Sequence, residues 1–345
     1  MKNMNMICRK FTASFYLIRY AFRVYFLNSN IKQKKNFLNL IRKRFLNFSP
    51  KPSAVSAIFA LTYRCQNRCK HCAMTSANGN NTHGEFTLAQ VQDVLLKLKK
   101  NGFQDISLFG GEPLLREDLA EIVKFAADMG MTLHLDTNGI GLSSRLGALR
   151  KAGLNHVFIS LDSVIREEHN TQRGNDGCFQ EVMSAISECG RLCFPFTLST
   201  YITKEDISNN KRIVDIIELA RKNNATGVRI VASVLAGNWS GREDLRIEDS
   251  ERRYFDKMLD GFAYFETPSN SSNRRVCLSL RKKLVFISPD GQVRPCAYIP
   301  LSFGNITDEN IDVILSRMWR HEIFSYDYGM DECLANHPKF LKILR

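Results

Sequence analysis

Leu61-Thr62-Tyr63-Arg64-Cys65-Gln66-Asn67-Arg68-Cys69-Lys70-His71-Cys72 decides how this chain is read. It follows an apolar run, Ala57 to Leu61, that predicts a β-strand. Its cysteines are spaced C-x3-C-x2-C. Three thiolates this close can hold three corners of a cubane iron–sulfur cluster, leaving the fourth iron without a nearby protein ligand. An open iron of that kind can bind and activate a small molecule. A zinc site is the alternative, but tetrahedral structural zinc asks for four ligands, usually from two separated pairs. His71 offers a fourth ligand, yet it lies between two of the cysteines and would strain a shared site.

Outward from this loop the pattern alternates strand and helix. Strand-like runs fall at Ala57–Leu61, Ile106–Phe109, Thr132–Leu135, His156–Leu161, Thr197–Ile202 and Gly227–Leu235. Helical patterns fall between them, near Leu88–Lys99, Arg116–Met129, Ser144–Ala152, Phe179–Cys189 and Asn210–Asn223. Six βα units imply a parallel sheet. Polar residues cluster where the strands end. Gly110-Gly111-Glu112-Pro113 follows the second strand, Asp136-Thr137-Asn138-Gly139 the third, and Ser160 and Asp162 close the fourth. Each is also ordinary turn chemistry. The Gly110–Gly111 pair would let backbone approach a ligand closely.

The cysteine loop, the G-G-E-P turn and their order resemble the radical S-adenosylmethionine (radical SAM) enzymes over Ala54 to about Val234. The resemblance implies a partial (β/α)6 barrel of the TIM type, with its chemistry at the carboxyl ends of the strands. It implies that Cys65, Cys69 and Cys72 bind a [4Fe–4S] cluster whose open iron takes the amino and carboxylate groups of S-adenosylmethionine. One electron then cleaves this cofactor to methionine and a 5′-deoxyadenosyl radical, which abstracts a hydrogen from substrate. Gly110, Gly111, Glu112 and Pro113 would contact the methionine amino group. Thr137 and Asn138 would line the same cavity, and Ser160 and Asp162 would meet methionine or ribose groups. Arg173 would pair with a carboxylate, although a surface ion pair explains it as well.

The net charge of +13 sits at one end. Residues 1–50 hold eleven Lys and Arg and no Asp or Glu, so the remainder carries 13 − 11 = +2. A nucleic-acid-binding core is not expected. Ten cysteines, several at metal-like spacing and without a secretory signal, point to a reducing compartment. Phe11–Leu27 and Asn36–Phe48 predict basic amphipathic helices rich in aromatics. Such helices lie in an anionic membrane interface or pack on a neighbouring domain. Arg19 and Arg23 make the first a poor membrane span.

Near the other end, Pro289-Asp290-Gly291 predicts a hairpin between Leu284–Ser288 and Gln292–Ala297. Cys277 precedes it, Cys296 ends it, and Cys333 follows a predicted helix at Asp308–Trp319. Their order resembles the auxiliary-cluster extension of the family, called SPASM in its seven-cysteine form and twitch in its short form. Three cysteines cannot fill the full form. One auxiliary cluster would take Cys277, Cys296 and Cys333 plus a fourth ligand from substrate, water or His337. Three buried structural cysteines are the alternative.

The expected organisation is a basic helical extension over 1–53, the barrel over 54–245, a linker helix and loop over 246–273, and a SPASM/twitch-like unit over 274–345. The expected activity is hydrogen abstraction from a small-molecule or lipid-linked substrate. Modification of a ribosomally made peptide, and a non-catalytic metal-binding scaffold at a membrane, are the alternatives. The resemblance further implies a flavodoxin- or ferredoxin-type electron donor. The expected location is the cytoplasm, with peripheral contact at the inner face of the membrane through residues 1–50.

Overall fold

The computed structural model describes residues 16, 18–19, 22–27, 29–30, 32–34, 56–74, 84–266, 277–324 and 333–336. Nine strands form one sheet in the order β7-β6-β5-β4-β3-β2-β1-β8-β9. β1 (Ser56–Ala60), β2 (Asp105–Phe109), β3 (Thr132–Thr137), β4 (His156–Ser160), β5 (Phe196–Ile202), β6 (Gly227–Ala232) and β7 (Ala263–Phe265) are all parallel. Between them lie α1 (Leu88–Lys100), α2 (Leu119–Asp128), α3 (Leu142–Ala152), α4 (Arg166–Arg173), α5 (Cys178–Arg191), α6 (Lys204–Ser208), α7 (Lys211–Lys222) and α8 (Asp249–Asp256). Long apolar crossovers between parallel strands bury both faces of the sheet. β5 accordingly has every residue buried, as the unbroken run of apolar and small residues Phe196–Ile202 requires.

The sequence explains where helices begin. Thr87 and Gln90 form a capping box ahead of α1, and Thr203 with Asp206 forms another ahead of α6. Each satisfies backbone N–H groups that have no partner inside the helix. α1 then turns Val91, Val94, Leu95 and Leu98 onto the sheet.

The sheet is curved. Arg229 on β6 forms an ion pair with Asp136 on β3. Two strands lie between them, and neighbouring strands are about 4.8 Å apart, so a flat sheet would separate the two backbones by about 14 Å. Closing the pair requires the strands to wrap around a common interior, as in a partial barrel. The guanidinium of Arg229 also lies 4.0 Å from the ring centre of Phe158 on β4.

Two features depart from the expected elements. In place of a single linker helix within 246–273, the structure has the short α8, a turn through Gly261 at φ +87, and then β7. The left-handed turn redirects the chain after α8, and Phe265 pairs opposite Ile230 on β6, with Phe262 also buried. The hairpin strands β8 (Leu284–Ile287) and β9 (Val293–Arg294) join the barrel sheet: β8 pairs parallel to β1, with Phe59 opposite Ile287. α9 (Ile311–Arg320) follows.

Most of residues 1–53 lies outside the described residues, as do His337 and the loop at 267–275. The described part of the extension packs on the barrel. Gln33 is buried, and its amide donates to the Met131 carbonyl at 2.8 Å and to Asn155 Oδ1 at 3.0 Å. Arg23 donates to the Asn224 carbonyl at 2.8 Å, and Tyr16 meets Phe262 edge-on at 5.4 Å. Among the described residues no helix is long and apolar enough to cross a membrane.

Candidate active site

The cysteine loop, 61–74, leaves the carboxyl end of β1 and is held by three elements. After β2, the Gly111 and Glu112 N–H groups donate to the carbonyls of Thr62 and Arg64, each at 2.8 Å. Gly110 has φ +147, and a β-carbon there would stand 2.4 Å from the Thr62 oxygen; one at Gly111 would stand 2.2 Å from the Arg64 oxygen. Only glycine permits this approach. The last turn of α4 supplies the second hold. Its Arg173 and Gln172 carbonyls, which lack helical partners, accept from Arg68 and Lys70 N–H at 2.9 Å each. The third hold follows β6: Asn238 N–H donates to the Cys72 carbonyl at 3.0 Å, and its side-chain amide to the Cys69 carbonyl at 2.8 Å.

Held this way, Cys65, Cys69 and Cys72 face one cavity of about 240 Å³. Burial, joined by the neighbouring Cys69, Glu112 and Cys72, pushes the Cys65 thiol up to about 11. Burial also raises Cys69, against the pull of the Arg173 guanidinium, whose Nη1 lies 3.8 Å from its sulfur. Converging thiols that resist ionisation are what a cationic group relieves, because metal ligation holds cysteine as thiolate. Among the described residues no group of three or more His, Cys, Asp or Glu could hold one metal ion. Three soft thiolates on one loop suit an iron–sulfur cluster, one thiolate to a corner. His71 lines the same cavity but is engaged by other side chains. Its ring packs 4.2 Å from Tyr201, its Nε2 lies 3.9 Å from Asp162, and burial lowers it to about 4, so it is neutral.

The expected strand-end residues divide. Gly110, Gly111, Thr137, Asn138, Ser160, Asp162 and Arg173 line the cavity with the thiols. Glu112 and Pro113 stand behind that wall. Glu112 is fully buried and accepts from Asn138 N–H at 2.7 Å, Thr137 Oγ1 at 2.9 Å and Leu114 N–H at 3.0 Å. Burial pushes its carboxyl up to about 7, with those donors opposing. It thereby positions Thr137 and Asn138, and the Asn138 amide reaches 3.8 Å from Cys65 Sγ. Pro113 opens a short 3-10 turn and is buried. Asp162 and Arg173 are paired with each other, at 2.6 and 2.8 Å. Arg173 therefore has its carboxylate partner inside the protein. The two-pronged contact holds the Asp162 carboxyl below its usual range against burial.

The cavity is also lined by Arg229, Val231, Tyr298 and Ala297. The last two directly follow Cys296. Burial and the neighbouring Cys333 and Cys277 raise the Cys296 thiol, so these three cysteines, distant in sequence, also converge. Cys65, Cys69 and Cys72 thus line the cavity directly, and the second set approaches it through Ala297 and Tyr298.

The model of the radical SAM superfamily matches residues 59–220, and that of an iron–sulfur cluster-binding domain, SPASM, matches 277–335. The chain belongs to the radical SAM superfamily. It is a radical SAM enzyme that uses a [4Fe–4S] cluster and S-adenosylmethionine, and its SPASM region implies a further iron–sulfur cluster. It is 25% identical over 277 residues to the AdoMet-dependent heme synthase of Methanosarcina barkeri, covering 72% of this chain and 78% of that protein. In fold it resembles Streptococcus suis SuiB bound to precursor peptide SuiA, with TM-score 0.62 and 14% identity over 85% of this chain and 69% of that one. It likewise resembles anSMEcpe with bound AdoMet, with TM-score 0.60 and 16% identity over 78% of this chain and 82% of that one.

Asn67, Tyr201, Arg229 and Tyr298 line the same cavity, and Gly237 and Asn238 lie against its cysteine loop, although no motif announced them. Gly237 carried a legible signal, a glycine at a strand end. A β-carbon there would lie 2.1 Å from the Cys72 carbonyl oxygen.

Proposed function

We propose that this enzyme abstracts a hydrogen from a small-molecule or lipid-linked substrate lying between two iron–sulfur centres. The observation that carries this reading is a single cavity lined both by Cys65, Cys69 and Cys72 and by Ala297 and Tyr298, which directly follow Cys296. Cys65, Cys69 and Cys72 would hold the cluster that, when bound, supplies the electron for cleaving S-adenosylmethionine. The Gly110–Gly111 backbone, Thr137, Asn138 and Ser160 would orient that cofactor. Asp162 and Arg173 would act as one neutral pair beside it. Cys277, Cys296 and Cys333 would hold the auxiliary cluster. Glu112 and Pro113 would position their neighbours rather than touch the cofactor. The working division is the barrel over 54–245, with 246–273 leading into the auxiliary unit at 274–345.

A cavity of about 240 Å³ suits a small substrate or a single side chain better than a broad peptide surface. The similarity to the AdoMet-dependent heme synthase also supports a non-peptide substrate. For residues 1–50, the contacts of Tyr16, Arg23 and Gln33 favour packing on the barrel over a membrane interface. Anaerobic incubation with S-adenosylmethionine and dithionite tests the core of the proposal. Wild type should release 5′-deoxyadenosine and Cys69→Ala none; equal release by both would sink it. Deuterium passed from a candidate substrate into 5′-deoxyadenosine would identify the substrate.

A further inference from the structure

We infer that a second cavity, at the barrel end opposite the active site, binds a phosphoryl group, with Arg19 and Arg23 of the N-terminal extension as its ligands. This cavity, of about 250 Å³, lies where the extension meets the end of α5, the start of β5 and the turn after α7. Its lining includes Arg19, Arg23, Cys193, Phe194, Phe196 and Asn224, and among the described residues no Asp or Glu. Phe196 opens β5, so the cavity sits at the amino end of that strand, whereas the cysteine loop leaves the carboxyl end of β1. Arg23 Nη1 donates to the Asn224 carbonyl at 2.8 Å, which fixes its guanidinium at the barrel. Arg23 is half-buried and Arg19 exposed, so an anion can enter from solvent and meet both.

The chemistry of the lining selects the ligand. Arg116, Arg173, Arg212 and Arg229, elsewhere in the barrel, each pair with an aspartate. This cavity instead brings two guanidinium groups together without a carboxylate in its lining. Burial and the neighbouring Arg19 lower Arg23, with Cys193 opposing. Glu188, next to Cys189 of the same lining, is taken by Arg191 at 2.6 Å. A dianion relieves such a pair. Phosphoryl oxygens accept two parallel N–H bonds from a guanidinium, and arginine is the side chain suited to them. A phosphate monoester near neutral pH carries about −1.5 to −2, which matches two arginines. Phe194 and Phe196, both buried, give the cavity an apolar wall, beside which the attraction is less screened than in water. The extension holds eleven Lys and Arg and no acid, so none of its own side chains offers the missing anion.

The phosphoryl group comes either from a soluble phosphate or from a phosphomonoester lipid headgroup, and the test separates the two. It uses the anaerobic holoenzyme with two probes, inorganic phosphate and phosphatidylcholine vesicles containing phosphatidic acid. Calorimetric titration of wild type with phosphate should show saturable binding that chloride at equal ionic strength does not reproduce. Affinity should fall about tenfold or more in Arg19→Gln/Arg23→Gln. It should fall by a smaller factor in Arg19→Gln, which keeps the Arg23 bond to Asn224 and so guards against loss of the fold. Arg42→Gln/Arg44→Gln removes the same charge from other positions of the extension and should stay within about twofold of wild type. Phosphate binding without added affinity for the phosphatidic acid vesicles identifies a soluble ligand. Vesicle binding that depends on Arg19 and Arg23 and is competed by free phosphate identifies the headgroup. The inference is overturned if neither probe binds better than its control, or if the Arg19 and Arg23 variants bind as wild type does. An equal loss in Arg42→Gln/Arg44→Gln would overturn it too, since net charge rather than this cavity would then account for binding.

Discussion

Glu112→Gln isolates the buried carboxylate that holds Thr137 and Asn138 in place. The folded carboxyl is pushed up to about 7 from its ordinary value of 4.5. A raised acid pKa means that the folded state keeps its proton longer than the unfolded chain does. The stabilisation is complete below 4.5 and is lost as pH rises through 7. Working the two titrations between pH 6 and 8.5 gives a loss of about 1 pKa unit, or about 1.4 kcal/mol, assignable to this residue. Glutamine resembles the protonated acid and cannot titrate, so the variant should lack that slope. It should also turn an amide N–H₂ toward the Asn138 N–H, removing one bond to a charged acceptor worth about 1.5–3 kcal/mol. The assay is anaerobic urea unfolding at closely spaced pH values, with the difference between the two proteins plotted against pH. The wild-type advantage should shrink by about 1.4 kcal/mol as pH rises from 6 to 8.5. Parallel profiles for the two proteins would refute the reasoning, since Glu112 would then titrate alike folded and unfolded.

Replacing Cys277, Cys296 and Cys333 together with alanine should remove about half of the about eight irons expected per chain after anaerobic reconstitution. The variant should still cleave S-adenosylmethionine without substrate but not complete turnover; full retention of iron would make these cysteines structural. Gly111→Ala should lower cluster occupancy several-fold, read by visible absorbance, because its β-carbon has backbone 2.2 Å away and the cysteine loop must shift. Asp162→Ala should lower the unfolding free energy by about 3–5 kcal/mol by stranding the buried Arg173 guanidinium; a denaturation midpoint equal to wild type would count against that pairing. Vesicles carrying anionic lipid separate the two roles of residues 1–50. Full-length protein and a chain starting near Pro52 should bind them equally if the segment only packs, and salt-sensitive binding by the full chain alone would restore the membrane role.

The alternation of apolar runs was legible because the strands bury short runs, alternating in β2 and continuous in β5, while each helix buries one stripe. The two periods therefore separate cleanly in Ile106–Phe109 and Leu88–Lys99. The glycine turns were legible for a related reason, since a residue without a side chain at a strand end signals backbone approach. What escaped the sequence depends on partners distant along the chain. β7 is three residues long and gains its identity only by pairing with β6. α4, with a strongly polar sequence, exists as a helix whose final carbonyls are taken by the cysteine loop. Glu112 looked like a ligand because its G-G-E-P turn resembles the family's motif; that its own carboxylate turns inward depends on Thr137 and Asn138, at the end of the neighbouring strand β3. Asp162 and Arg173 each suggested an outside partner, and the fold joins them to each other.

The pairing of β8 on β1 bears on what can be cut from this protein. Without residues 277–324, β1 would be a sheet edge, presenting unpaired N–H and C=O groups from Ser56 to Phe59 beside the buried side chains of Ala57 and Phe59. An uncovered apolar edge of this kind recruits strands from other molecules. The auxiliary unit is thus also the cover of the barrel's first strand. A chain truncated before Cys277 should aggregate even though every residue of the radical SAM match is retained, and a polar edge designed into β1 would be needed to keep that fragment monomeric.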